Sequence, residues 1–476
     1  MKSKHVFNLI VFNRKHLALC ASSAAVLLSG CYNYPAVPDA INQSTYTELK
    51  NEQKKLLPDD CSLLSLESAE QIAMANNPDY LTMSHSVNAA WSRFYASLSA
   101  YLPTISATYG FTNNRLIPSS GEGYGGNTPS FSKGGGLQGQ WLLFDGLVRE
   151  MNMLIAKHSA KREEALERDA RRLLLQSVAQ AYNNILLARE NIRIAEADAD
   201  FNEKLYNETE LKYKVGEVSL SEPLNFKVKY NQAKNQLIIS NYSFTTSKYI
   251  LAALLGLTES DIPANIEFPP LSPKDEQFSS DITVYLDTAL ANRPDLDAFR
   301  EALLSANFSV WASWGAFSPT ISANGFYGYL RTDTGSGKMT NWESRTQDKS
   351  YNYGITASWT LFNGGQNWFN LKTAQAVLAQ NQLAVVNKWI NVISEVRQAQ
   401  DNYRQAIEQV ALFEETLGLV QKTRDLVEEE YKAGNANLTR VNQAQSDLVR
   451  AEADLASSRV NLENAKAQME AAIGSR

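Results

Sequence analysis

Cysteine and histidine are scarce in this chain, at 3 and 4 of 476 residues. That leaves little raw material for a His/Cys metal site, and no cofactor is expected. A basic excess is also missing, because 45 Lys+Arg face 51 Asp+Glu for a net charge of −6. A nucleic-acid binder built on a basic face is thereby disfavoured. The body holds no run of 18 apolar residues, so it holds no ordinary transmembrane helix. No nucleophile elbow, phosphate-binding loop or Ser/His/Asp set emerges, so no enzyme is expected. Apolar residues are plentiful, at 44% of the chain, which argues against disorder throughout.

The N-terminus reads as an export signal. Lys2, Lys4, Arg14 and Lys15 precede any acidic residue, and an apolar stretch runs from Leu17 to Leu28. That stretch is too short to span a bilayer comfortably. It ends in Leu28-Ser29-Gly30-Cys31, a lipobox in which Cys31 is expected to be lipidated and to become the first mature residue. Tyr32, rather than Asp, follows it, which points to the outer membrane. Removing residues 1–30 takes away four positive charges and no negative ones, so the mature net charge falls from −6 to −10. Cys61 then has no thiol partner, and the fold must rest on packing and assembly. His85 and His158 are expected to be surface polar residues without partners.

The mature chain is one unit written twice. Pro103-Thr104-Ile105-Ser106-Ala107 recurs as Pro319-Thr320-Ile321-Ser322-Ala323, and Pro78-Asp79 as Pro294-Asp295, both at an offset of 216. Further on the offset is 218: Trp141, Leu143, Phe144 and Gly146 match Trp359, Leu361, Phe362 and Gly364. Tyr213-Lys214-Val215-Gly216 likewise matches Tyr431-Lys432-Ala433-Gly434. The expected layout is an extended segment at 31–65, a first repeat at 66–256, a Pro-rich connector at 257–281 and a second repeat at 282–476. Each repeat begins with a helix (66–101 or 282–317) that Pro78 or Pro294 interrupts.

Two strands follow in each repeat, expected at 102–113, 131–144, 319–331 and 350–362. They alternate. Tyr351, Tyr353, Ile355, Ala357, Trp359 and Leu361 share one face, while Asn352, Gly354, Thr356, Ser358 and Thr360 share the other. Tyr109, Trp141, Tyr351 and Trp359 suit membrane interfaces. Four strands cannot close a barrel, and an open edge in lipid leaves backbone groups unpaired at several kcal/mol each. If the strands lie in a membrane, several chains must share one barrel.

Long proline-free stretches then run over 146–213 and 364–431, each long enough for a helix of about 100 Å. The last helix carries a heptad seam, with Val441, Leu448, Leu455, Leu462 and Met469 alternating with Ala444, Ala451, Ser458, Ala465 and Ala472. The matching stretch of the first repeat carries Tyr230, Leu237, Phe244 and Leu251 with Ala233, Ser240, Ser247 and Leu254.

Taken in order, the lipobox, the duplication, Leu102-Pro103-Thr104-Ile105-Ser106 and its copy, Asn292-Arg293-Pro294-Asp295-Leu296, Phe362-Asn363-Gly364-Gly365 and the two Tyr-x-x-Gly breaks resemble the TolC-like outer-membrane factors, in their lipidated branch. The resemblance implies a mostly α fold with a transmembrane β part. It implies a homotrimer whose 12-stranded β-barrel in outer-membrane lipid continues as a 12-helix α-barrel in the periplasm. It further implies the passive exit duct of an efflux system, served by a periplasmic adaptor and an inner-membrane pump of the RND type. A type I protein-secretion channel of the same fold and a periplasmic coiled-coil scaffold without a channel are the alternatives. The Gly breaks at Gly216 and Gly434 would be the periplasmic tips. Tyr213, Glu222, Tyr431, Arg440 and Gln443 are the gate candidates around them. Half two departs from the family pattern: Arg440 and Gln443 stand where TolC-type proteins carry aspartates, which makes an acidic ring from that half doubtful. Glu222–Arg440 or Arg440–Tyr431 contacts are the expected substitute.

Overall fold

The computed structural model describes residues 63–115, 129–257, 261–263, 265–269, 281–335 and 342–475. All of them fall in one compact unit, Leu56–Arg476. The first repeat gives α1 (Leu66–Asn76), α2 (Pro78–Leu98), β1 (Thr104–Arg115), β2 (Pro129–Phe144), α3 (Val148–Lys214) and α4 (Ser221–Leu254). The second gives α5 (Ile282–Asn292), α6 (Pro294–Gly315), β3 (Thr320–Gly335), β4 (Trp342–Ser358), α7 (Gln366–Lys432) and α8 (Leu438–Ile473). Cys31 and the signal segment lie outside the described residues, as do Cys61 and most of the connector.

The repeats match in length as well as in order. Helices α3 and α7 have 67 residues each, roughly 100 Å of helix. Helices α4 and α8 are about half as long, at 34 and 36 residues. The shorter helices abut end to end. Asn77 Nδ2, at the start of α2, donates to Leu254 O at the end of α4, at 2.9 Å. Arg293 Nη1, at the start of α6, donates to Ala472 O at the end of α8, at 3.3 Å. Each repeat therefore supplies one long helix and one column made of two shorter ones. The chain contributes four helical columns.

The heptad seam is where the sequence puts it. Val441, Leu448, Leu455, Met469, Ala444, Ala451, Ser458, Ala465 and Ala472 are all buried, and Leu462 packs against the core beside Tyr403 and Ala465. Alanines opposite large residues let the helices approach closely. In α4 the corresponding Ala233, Ser240 and Leu251 are buried. No described helix is long and apolar enough to cross a membrane.

The four strands form one antiparallel sheet in the order β1-β2-β3-β4. Several strand ends depart from expectation: β3 continues to Gly335 rather than 331, and β4 starts at Trp342 rather than 350. β4 runs from Trp342 to Ser358, so Trp359, Leu361 and Phe362 lie beyond it. The ladder's last pair is Thr320↔Ser358. Pro319, just before Thr320, has no N–H with which to extend it. The connector also departs. Ile262, Ile266 and Phe268 are buried in the first repeat's core with Leu251, Leu255, Tyr182 and Ile185. Glu267 forms a parallel bridge with Leu63, and Leu64 N donates to Glu267 O at 2.9 Å. Its apolar residues, isolated from one another by prolines and polar residues, dock one by one, so the segment closes a core.

Candidate functional site

Three regions bear on function: the sheet, the junctions between shorter helices, and the tips.

The register places Ile105, Leu137, Trp141, Tyr109, Tyr327, Tyr329, Tyr351, Tyr353 and Ile355 on one face, because directly paired residues share a face. These side chains are exposed, Tyr353 at 86% and Ile105 at 75%. The other face carries Thr104, Gln140, Asn324, Ser106, Gln138 and Asn352 in paired rows, with Phe326 among them. A soluble protein rarely exposes an aromatic surface of this extent. It suits an apolar-out, polar-in wall of a membrane barrel. Strands β1 and β4 each have a free edge. At the foot of the sheet the indoles are fixed: Trp141 Nε1 donates to Tyr101 O, and Trp359 Nε1 to Phe317 O, both at 3.0 Å.

The turn from sheet to long helix repeats its geometry with different side chains. Arg149 Nη1 donates to Ala100 O at 3.4 Å and to Leu142 O at 2.8 Å, and Arg149 N to Asp145 Oδ2 at 2.9 Å. In the second repeat Asn367 Nδ2 donates to Ala316 O at 2.9 Å, and Asn367 N to Asn363 Oδ1 at 3.5 Å. The backbone has positive φ at Gly146 and Leu147, and at Gly364 and Gly365. Leu147 alone among the described non-glycine residues adopts this left-handed conformation.

The second repeat's junction holds a buried ionic network that sequence reading missed. Arg293, 1% exposed, pairs with Asp295 and Glu395, each at 2.5 Å. Lys388 reaches Asp295 at 2.7 Å. Arg172, from α3 of the first repeat, pairs with Asp169 at 2.7 Å and donates to Ala471 O at 2.9 Å. Burial alone would raise the Asp295 carboxyl, but hydrogen bonds from Arg293 and Lys388 more than offset it and hold it well below the usual carboxylate range. A cavity of about 330 Å³ lies beside the network. The Asn-Arg-Pro-Asp run was legible as a helix break and as a family motif; its ionic role depends on Arg172 and Lys388, which are far away in sequence.

Another polar residue also has a partner that sequence did not suggest. His158 Nδ1 lies 2.6 Å from Glu301 Oε2, and its ring stacks on Phe308 at 5.2 Å. The expectation of an unpartnered surface histidine fails there, because α6 lies alongside α3. His85 is exposed.

The tips are near-identical backbone motifs. Gly216 has φ +82° and Gly434 +80°. Glu217 N donates to Lys212 O at 2.9 Å, and Asn435 N to Glu430 O at 2.8 Å. This is the helix stop in which a left-handed glycine lets the last carbonyls be satisfied. Behind the turns, Phe226, Leu205, Val427, Val441 and Ala444 pack together and join the two hairpins. Across that join Tyr431 Oη donates to Glu222 Oε2 at 3.5 Å, the long end of a hydrogen bond. Burial, and then Glu222, push the Tyr431 phenol above its usual range, so it remains a neutral donor. Arg440 contacts neither of its expected partners. It pairs instead with Glu430 at 2.8 Å, because the first turn of α8 lies beside the last turn of α7. Gln443 Nε2 donates to Asp447 Oδ1 at 2.8 Å, and Tyr213 is exposed. Sequence reading also missed Glu428. Lys432, and then Arg424, hold its carboxyl below the usual range.

A sheet with one aromatic face and two open edges, continued by long paired helices, defines an outer-membrane channel protomer. The profile of the family described as "Outer membrane efflux protein" matches residues 70–257 and 285–475, and the chain belongs to that family. The probable efflux pump outer membrane protein TtgC of Pseudomonas putida is 25% identical over 393 residues, which cover 79% of this chain and 76% of TtgC. The alkaline protease secretion protein AprF of Pseudomonas aeruginosa is 24% identical over 263 residues; the match covers 53% of this chain and about half, 51%, of AprF. The crystal structure of the Campylobacter jejuni CmeC outer membrane channel superposes with a TM-score of 0.73 at 18% identity, covering 86% of this chain and 85% of that one.

Proposed function

We propose that the protein is the passive exit duct of an efflux system, built from three copies of the chain and anchored in the outer membrane through lipidated Cys31. One comparison within the chain carries this reading. Within one chain, half two covers the half-one helix α3, but among the described residues nothing covers the equivalent surface of α7. Ile194 is 3% exposed, whereas its counterpart Leu412 is 60% exposed. Ala165 and Arg172 are buried, whereas their counterparts Leu383 and Ile390 are 70% and 60% exposed. The first repeat of a next copy would cover α7 as the second repeat covers α3. That is a head-to-tail contact, which closes into a ring when the rotation allows. The same ring would pair the free edge of β4 with that of β1. The family resemblance supports three copies, which would give 12 strands and 12 helical columns.

The duct carries out no chemistry of its own. The polar face of the sheet lines its outer-membrane part. The tips, with Val215 and Leu220 exposed, offer a landing for a periplasmic adaptor, which links them to an inner-membrane pump of the RND type. The Tyr431–Glu222 contact and the Arg440–Glu430 pair act as the gate. The TtgC match covers 79% of the chain and the AprF match 53%, which favours small-molecule efflux over protein secretion. Planar-bilayer recording tests the reading. The purified protein is expected to give discrete conductance steps, and Glu222→Lys to shift them. A protein that forms no pore contradicts the duct, and unchanged conductance in Glu222→Lys contradicts the gate.

A further inference from the structure

Above the tyrosines, the outward face of the sheet changes character within two rows. Lys349 stands in the row of Tyr109, Gly135 and Tyr329. The next row pairs Lys133 directly with Arg331, and the one after pairs Asp333 with Arg345. These three rows thus carry four cations and one carboxylate. Asp333 is committed: Arg345 Nε reaches it at 2.8 Å and Arg331 Nε at 3.2 Å. Lys133 and Lys349 have no ion-pair partner among the described residues. Like charges directly opposite each other across a strand pair destabilise it unless an anion lies between them. Lys133 is eight residues along β2 from Trp141, roughly 26 Å at the usual rise. That is the height of a barrel's apolar band. The long helices leave from the Trp141 end, so the cations lie at the opposite rim, at the level of the outer-leaflet headgroups.

We propose that Lys133, Arg331, Arg345 and Lys349 form a binding surface for the phosphates of an outer-leaflet glycolipid. The inference rests on the outer-membrane reading above. The Tyr109, Tyr329 and Tyr351 rings take the lipid's acyl and glycosidic region, and the cations take its phosphates. Guanidinium and ammonium groups at headgroup depth are suited to this contact, and the surrounding low dielectric strengthens it. The bound phosphate also relieves the Lys133–Arg331 repulsion.

The test uses the full mature protein in nanodiscs of zwitterionic phosphatidylcholine doped with bisphosphorylated lipid A or with its dephosphorylated form. Native mass spectrometry counts the retained lipid. Wild type is expected to retain the bisphosphorylated form and to release the dephosphorylated one. The Lys133→Gln/Lys349→Gln double variant leaves the Asp333 cluster whole. It is expected to hold the phosphorylated lipid roughly 25-fold more weakly, about fivefold per cation removed. Lys133→Arg/Lys349→Arg should restore retention. Equal retention of both lipid forms, or by wild type and the Gln variant, overturns the proposal. Bilayer conductance of the same samples is read separately. A conducting protein without lipid selectivity overturns only the lipid site, whereas a non-conducting one overturns the duct.

Discussion

The two repeats share a backbone but not a chemistry, and the difference shows which features the architecture requires. At equivalent positions Asn77 and Arg293 both donate to the end of the neighbouring helix, one as a neutral amide and the other within an ionic network. Asn77 also caps its own helix, its Oδ1 accepting from Tyr80 N at 3.1 Å. Arg293 cannot accept, so the Asp295 carboxylate takes Leu296 N at 2.9 Å in its place. Asp145 and Arg149 are replaced by Asn363 and Asn367 with the same connections, and Glu222 by Arg440. What persists is the hydrogen bond that joins one helix end to the next. The charge carried there is free to vary. The apolar content shifts too: the first repeat closes on a large apolar core, while the second has a smaller one beside its ionic cluster.

The largest expected contrast lies at the junctions. Arg293→Ala removes one of two close cations from the buried Asp295, leaves Lys388 as the other, and empties a buried site, and should cost about 3 kcal/mol. Asn77→Ala removes a cap and the bond to Leu254 O, both neutral, and should cost about 1–2 kcal/mol. Denaturant unfolding of the two variants reads the difference, and equal costs would break the comparison. Acid should act on the same junction. A depressed carboxylate stabilises the fold above its unfolded pKa of about 3.9, and that term is lost as pH falls through the folded value. Hydrogen exchange should therefore show the α5–α6 junction loosening below about pH 4, and not at pH 6.

The tips should behave alike. A Cβ at Gly216 or Gly434 meets nothing within 4 Å, so alanine there pays only for its positive φ. Each substitution should cost about 1–2 kcal/mol. Calorimetry should place the two variants within about 0.5 kcal/mol of each other.

At the sheet-to-helix turn the repeats should part again. Leu147 holds φ +68° where the second repeat has glycine. Leu147→Gly should stabilise by about 0.5 kcal/mol, the relief of strain less glycine's entropy. The smallest effect concerns Asp198. Burial pushes its carboxyl up, against hydrogen bonds from Gln445 and Asn202. The charged form is thus penalised at neutral pH, and the penalty fades as pH falls through the raised folded value. Asp198→Asn should be within about 0.5 kcal/mol of wild type at pH 7. Its melting temperature should also vary less with pH than wild type's between 4 and 7.

The repeat, the heptad seam, the tip glycines and the alternation of strands were legible because each is a local pattern with a fixed period. Side-chain partners were not legible in this way. Trp141 and Trp359 donate to carbonyls just before β1 and β3, the strands that pair with β2 and β4. Arg172 meets Ala471, and His158 meets Glu301, across hundreds or scores of residues that no period connects. Arg440 shows a third case: Glu222, across the join, and Tyr431, in its own hairpin, both lose to Glu430. Proline content misled at 261–269, where isolated apolar residues between prolines dock into the core. The end of β4 was overextended because alternation continues past Ser358 after the partner strand has run out.

Native mass spectrometry of the mature protein extracted in mild detergent tests the shared barrel most directly. Three chains, each with an acyl-modified Cys31, are the expected result. A stable monomer would leave β1 and β4 with open edges and α7 uncovered, and would contradict the ring.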